Sequence, residues 1–260
     1  MIRPTIPHAT MLSVFELTSG PSSAVLRALV LLATLAGVTG CSIRSAVRAD
    51  DSGSKRPQHP IESTVVELEG DVHVVVGGGR VDLPGWIALS EGWLEVAVCR
   101  QGTREHESIV ATMVRPSVVH SAMLLAGFEP GSPALYRSDA PPVPAHGASV
   151  AISLEIDGVE AIPLIEAIED ERGSPSLEWV FAGSGFRPNP ESMGPGEFYM
   201  ADYAGTIVGL TAFGDEVVAA VELRSPEVGI DPAVWRIRSG VLPPEGTPVR
   251  IVLEAERAPE

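Results

Sequence analysis

The sequence predicts an α+β domain, mainly antiparallel β structure with one buried helix at about residues 116–126. Three observations lead there. Short β-branched and aromatic runs, separated by Gly, Asp and Pro turns, recur from Thr64 to Leu253. The segment Pro116–Ala126 breaks this alternation with residues apolar nearly all round, as a buried helix is. No repeat period and no long Pro-rich linker divides the chain. With 260 residues, 45% of them hydrophobic, there is material for a sizeable core. We therefore expect a single domain over 64–257.

In order, Thr64–Leu68 and Val72–Val76 read as strands joined at Glu69-Gly70-Asp71, with His73 in the second. Gly77-Gly78-Gly79 lacks the spacing of a phosphate-binding loop and precedes no helix, so it reads as a hairpin turn. Arg80–Leu83, Trp86–Leu89 and Trp93–Val98 follow as strands. Period two places Leu94, Val96 and Val98 on one face and Glu95, Ala97 and Cys99 on the other. Glu107–Val114 is the next strand. Pro116 suits the first turn of the helix and Gly127 the left-handed position beyond its end. After an irregular 131–147 loop, strands are expected at Ser149–Ile156, Leu177–Ala182, Phe198–Ala201, Ile207–Phe213, Val217–Leu223 and Val249–Leu253. Ile162–Glu171 fits a short amphipathic helix with Leu164, Ile165 and Ile168 inward, and Arg187–Gly196 a polar loop.

The N-terminus carries a different signal. Arg27 precedes the apolar run Ala28–Val38, which is too short to span a bilayer, and Val38-Thr39-Gly40-Cys41 follows it. This resembles a bacterial lipobox, in which the Cys41 sulfur takes a diacylglycerol. Residues 1–40 are then a lipoprotein-type signal peptide, with Met11 as an alternative start, and 41–63 are the lipidated Cys and a flexible polar tether. The expected localisation is export with attachment to the membrane through acyl chains on Cys41, at the outer membrane or cell surface of a two-membrane cell.

The charge narrows the partners. Eighteen Lys and Arg against 34 Asp and Glu give a net charge of −16, which repels phosphate backbones and argues against nucleic acid. Cys99 is the second of two cysteines, and a lone thiol holds neither an iron–sulfur cluster nor a Cys-rich zinc site. No cofactor is expected.

The polar chemistry concentrates between Cys99 and Gly131. His106, Glu107 and His120 offer an open three-ligand set for a divalent metal, with His106 and His120 as the metal candidates. In a strand, however, His106 and Glu107 point to opposite faces. Cys99 with His106 or His120 offers a thiol–imidazole pair, which Glu107 or Glu95 would orient. Ser108 completes the catalytic candidates. Ser184, in Gly-Ser-Gly, lacks the elbow and the following helix of a serine nucleophile. The remaining reading is non-catalytic: His106, Glu107 and Ser108 fix a turn, His120 is a core histidine, and Trp179, Phe181 and Phe186 are core or a binding face.

The blocks EGWLEVAVCRQGTREHESIV, VVHSAMLLAGFEPGSP, EWVFAGSGF, FYMADYAGTIVGLTAF and LPPEGTPVRIVLE resemble the YdjY-type family of bacterial secreted and lipid-anchored proteins, over about Val72–Leu253. The His106-Glu107-Ser108 block, His120 and Gly127-x-x-Pro130-Gly131 are the most specific part, while Ala212–Asp215 departs from the family's Asn-Phe-rich version. The resemblance implies a fold unit and a candidate site but no activity. The function expected is an envelope lipoprotein that binds a small ligand or an envelope protein. The alternative is an envelope enzyme or metal-binding protein using His106, Glu107 and His120, with or without Cys99.

Overall fold

A computed structural model describes residues 64–137, 140–173, 177–227 and 229–256; the signal segment, Cys41, the tether and the last four residues lie outside them. In chain order the strands are β1 (Val65–Leu68), β2 (Val72–Val75), β3 (Arg80–Ile87), β4 (Trp93–Leu94), β5 (Val96–Arg100) and β6 (Ser108–Thr112). Helix α1 (Pro116–Ala126) follows. Then come β7 (Leu135–Arg137), β8 (Ala140–Val143), β9 (Val150–Glu155), β10 (Ile162–Pro163), β11 (Ile168–Asp170), β12 (Trp179–Phe181), β13 (Phe186–Pro188) and β14 (Glu197–Tyr199). Helix α2 (Met200–Ala204), β15 (Thr206–Gly209), β16 (Val218–Ala220), β17 (Trp235–Ile237) and β18 (Pro248–Ala255) complete the order.

The main sheet runs β10-β9-β18-β3-β6-β5-β15-β16-β12. An isolated bridge, Ser149 to Val180, joins the residue before β9 to β12, and the Phe181 N–H donates to the Ala148 carbonyl at 2.8 Å, so the strand path returns on itself. β3 is one strand rather than two. It changes neighbour along one edge, from β2 at Asp82 to β6 at Trp86, and Pro84 falls in the gap, where no ladder N–H is required. Gly85 is needed there: a Cβ would stand 2.8 Å from the Ala111 carbonyl oxygen.

The sheet is mixed. β5 and β6 are parallel neighbours, as are β15 and β16, while the other ladders are antiparallel. The connections are short, 101–107 and 210–217. Each must run back along its own strand, about 3.3 Å per residue, before the next can start in the same direction. Both return segments therefore lie over the sheet, and what they cover is the candidate site.

α1 occupies the expected residues. Val119, Ala122, Met123 and Ala126 enter the main core, but Leu124 and Leu125 are exposed, so the helix is buried on one face and not all round. Gly127 ends it at φ 95°, with the Gly127 N–H on the Leu124 carbonyl and the Phe128 N–H on that of Met123. The triple glycine makes its turn and does more. The Gly77 and Gly79 N–H groups donate to the carbonyls of Leu125 and Ala126, satisfying the open end of the helix.

Several elements differ from expectation. Ile162–Glu171 is not an amphipathic helix: it is β10, a 3-10 turn over Leu164–Ala167, and β11. β11 pairs with β17, seventy residues on, and that pairing overrides the local helical period. The strand expected at Glu107–Val114 begins only at Ser108, because Glu105–Glu107 form a 3-10 turn. Phe198–Ala201 is split between β14 and α2.

Candidate functional site

The two return segments meet over the face of β5, β6 and β15 that bears Cys99. On that face Val96, Cys99 and Ala111 form a small buried group under Phe213, Trp86 and Ala88. Val96 thus packs with Cys99 and apart from Leu94 and Val98. The strict alternation is broken where β5 slips register against β15, between Thr206 and Gly209. Glycines make room for the segments: a Cβ on Gly205 would collide with Thr103, and one on Gly209 with the Glu216 side chain.

Arg104 is the hinge of this cluster. Its guanidinium lies 3.7 Å from the centre of the Phe213 ring, 3.5 Å from Asp215 Oδ2 and 4.0 Å from Glu107 Oε1. Burial pushes the Asp215 carboxyl up, and Arg104 opposes this. Burial and the charge of Asp215 raise Glu216 to about 7. Glu216 Oε1 accepts the N–H groups of Phe213 (2.5 Å) and Gly214 (3.0 Å), while Oε2 is buried without a hydrogen-bond partner. Glu95 is raised too, by burial and by the charge of Glu107 beside it.

The sequence-derived candidates divide between two places. Cys99, His106, Glu107 and Ser108 belong to this cluster. Cys99 is fully buried and burial raises its thiol pKa, away from the thiolate that a nucleophile needs. The Ser108 hydroxyl donates to the Arg104 carbonyl at 2.7 Å. His106 is largely exposed, its Nε2 3.7 Å from Glu107. Arg104, Asp215 and Glu216 were missed by sequence reasoning; Arg104 lies inside a family block, but the departure at Ala212–Asp215 argued against a role for that segment.

His120 is held elsewhere. Its Nδ1 is 2.8 Å from the Tyr199 hydroxyl, which donates to the Gly183 carbonyl at 3.0 Å. That hydroxyl has one proton, so Nδ1 carries the shared hydrogen and the imidazole is a neutral Nδ1–H tautomer. Phe181 and Tyr199 meet the ring edge-on at 5.1 and 5.6 Å between centroids. Burial lowers the His120 pKa, as for a core histidine. His120 and His106 therefore answer to different partners. A separate group, Glu67, Asp71 and His73, places three ligand atoms within 4.8 Å of one another and could hold a cation; Arg250, 3.2 Å from His73 Nδ1, opposes one.

Ser184 links the clusters. It stands at φ 55°, donates its hydroxyl to the Asp215 carbonyl at 2.8 Å and accepts the Ala201 N–H at 3.2 Å, so both of its roles are taken up by structure. It also lines a cleft of about 900 Å³, with Phe213 and Gly214 beside it and Leu135, Tyr136, Phe186, Arg187 and Ile230 around it. Leu135, Tyr136, Phe186 and Ile230 are all solvent-exposed. Trp179 and Phe181, by contrast, are core.

A family model for the YdjY domain matches residues 80–254. The chain belongs to the YdjY domain family. The match runs from the start of β3 to within a residue of the end of β18, so both return segments, α1 and the cleft are parts of the YdjY domain. No curated protein and no solved structure matches the chain.

Proposed function

We propose that this YdjY-domain protein is a non-catalytic binding module of the cell envelope, tethered through acyl chains on Cys41, and that its ligand or partner occupies the cleft beside Ser184. The cleft carries the proposal. It has the size of a ligand site, and exposed apolar side chains converge on it with few charged groups, Arg187 and Glu227, among its lining. The groups that catalysis would require support the same reading: the Cys99 thiol is buried, the Ser184 hydroxyl is engaged, and His120 Nδ1 is engaged by Tyr199.

Two measurements test this. Radiolabelled palmitate fed to cells should enter the full chain and be lost in Cys41→Ala; label retained in that variant would remove the anchor. The full chain with Cys41→Ser, which takes no acyl chain, should enhance the fluorescence of 1-anilinonaphthalene-8-sulfonate. Phe186→Ser combined with Ile230→Ser should cut that enhancement several-fold. No enhancement, or enhancement untouched by the pair, would remove the cleft as a binding site.

A further inference from the structure

The cleft runs between two strand edges. Among the described residues β7 pairs only with β8, and β13 only with β14. Leu135 and Tyr136 of β7 and Phe186, Arg187 and Pro188 of β13 line the cleft, while none of the described residues of β8 or β14 does. Each hairpin therefore turns its unpaired strand toward the opening.

The backbone of β13 shows what that edge offers. Met200 N–H donates to the Gly185 carbonyl and Asn189 N–H to Gly196 at the two ends of the hairpin. Antiparallel alternation then directs the N–H and C=O of Arg187 at β14 and turns outward the N–H and C=O of Phe186 together with the C=O of Pro188, which has no N–H, so this edge offers one donor and two acceptors. Among the described residues nothing accepts the Phe186 N–H. On the other side β8 carries Pro141 and Pro142, which have no N–H for a further strand, so β7 holds the usable edge of that hairpin. Side-chain pockets between unpaired edges are the features by which a sheet takes up an added strand.

We infer that the cleft binds an extended polypeptide segment by strand addition to the edges of β13 and β7, with alternate apolar side chains of that segment seated against Phe186, Tyr136 and Ile230. This rests on the cleft being the binding site. The chain's charge of −16 selects a segment flanked by cationic residues.

The test uses the full chain with Cys41→Ser and the amidated peptide Lys-Val-Thr-Val-Thr-Val-Lys in calorimetric titration. The peptide should bind. Methylating alternate backbone nitrogens gives two versions, one blocked on the edge that meets β13 and the other on the edge that meets β7, and each should bind at least tenfold more weakly than the parent peptide. Exchanging both lysines for glutamates should weaken it about tenfold at low salt. Phe186→Ser should weaken binding, and Tyr203→Ser, at an exposed ring outside the cleft lining, should not. Methylated peptides that bind as tightly as the parent peptide would overturn strand addition. Failure of every peptide with the anilinonaphthalene probe still bound would overturn it and leave the cleft as a small-ligand site; failure of both would remove the binding reading as well. Self-association lost in Phe186→Ser, with no peptide binding, would assign the edges to a second copy of this chain.

Discussion

The cluster around Cys99 and the cluster around His120 stand on either side of Ser184, and they answer to pH in opposite senses. The first buries charge. Glu216, Asp215 and Glu95 all have raised pKa values, so deprotonation works against the fold. The second buries a neutral ring whose pKa is lowered, so protonation works against it. The sign follows from linkage. Glu216, raised from 4.5 to about 7, contributes stability that is present below pH 4.5 and lost as pH rises through about 7. His120 contributes stability that is present above pH 6.5 and lost as pH falls through its folded value. The charged cluster is held together by Arg104; the neutral one by a Tyr199 hydroxyl that serves two partners at once.

The largest effect should come from removing the cation. Arg104→Ala leaves Asp215 beside Glu216 with no positive partner and uncovers Phe213. We expect a loss of about 3 kcal/mol in urea denaturation at pH 7.5, and a smaller loss at pH 5, where Glu216 takes a proton. Equal losses at both pH values would mean that the cluster does not carry the charge assigned to it.

Glu216→Gln should separate the two clusters. Each pKa unit carries about 1.4 kcal/mol, so the variant should gain on the parent by about 2–3 kcal/mol between pH 4.5 and 8. Its own stability curve should then lose the limb that falls through about pH 7 and keep the His120 limb, which falls on acidification. A pH-independent difference between variant and parent would contradict the raised carboxyl.

Tyr199→Phe should cost about 1–2 kcal/mol, because it leaves His120 Nδ1 and the Gly183 carbonyl without their shared partner. The nitrogen-15 shifts of the imidazole should show the Nδ1–H tautomer in the parent and a mixture in the variant; the same tautomer in both would mean that Tyr199 does not set it.

His106→Ala should change stability by less than about 0.5 kcal/mol, since the side chain is 78% exposed, with its Nε2 3.7 Å from Glu107. A drop beyond 1 kcal/mol would move His106 from the rim of the charged cluster into its interior.

Local patterning reached a good part of this molecule. Pro116 and Gly127 bound α1 as their backbone preferences require, and the Gly77–Gly79 turn and the β1–β2 hairpin follow from residues a few positions apart. The family blocks also group Cys99, Glu107 and Ser108, which share one cluster. Such features depend on interactions within one or two turns of chain, and residue type and spacing are enough to specify them.

What remained hidden depends on partners far along the chain. That β5 lies parallel to β6, and β15 to β16, is not written in the alternation of either strand, yet it forces 101–107 and 210–217 back over Cys99 and so brings Arg104 to Asp215 across more than a hundred residues. The partner of His120 is not legible in its neighbourhood along the chain either; it is Tyr199, seventy-nine residues later. Phe181 and Phe186 are alike as letters, but one fills the core and the other stands at a free strand edge. Residue type and spacing alone specify α1 with its two ends, the glycine turn, the first hairpin and the family. The tertiary pairing alone decided which polar groups share a dry interior and which edge stays open, because burial and charge proximity are properties of residues brought together by the fold.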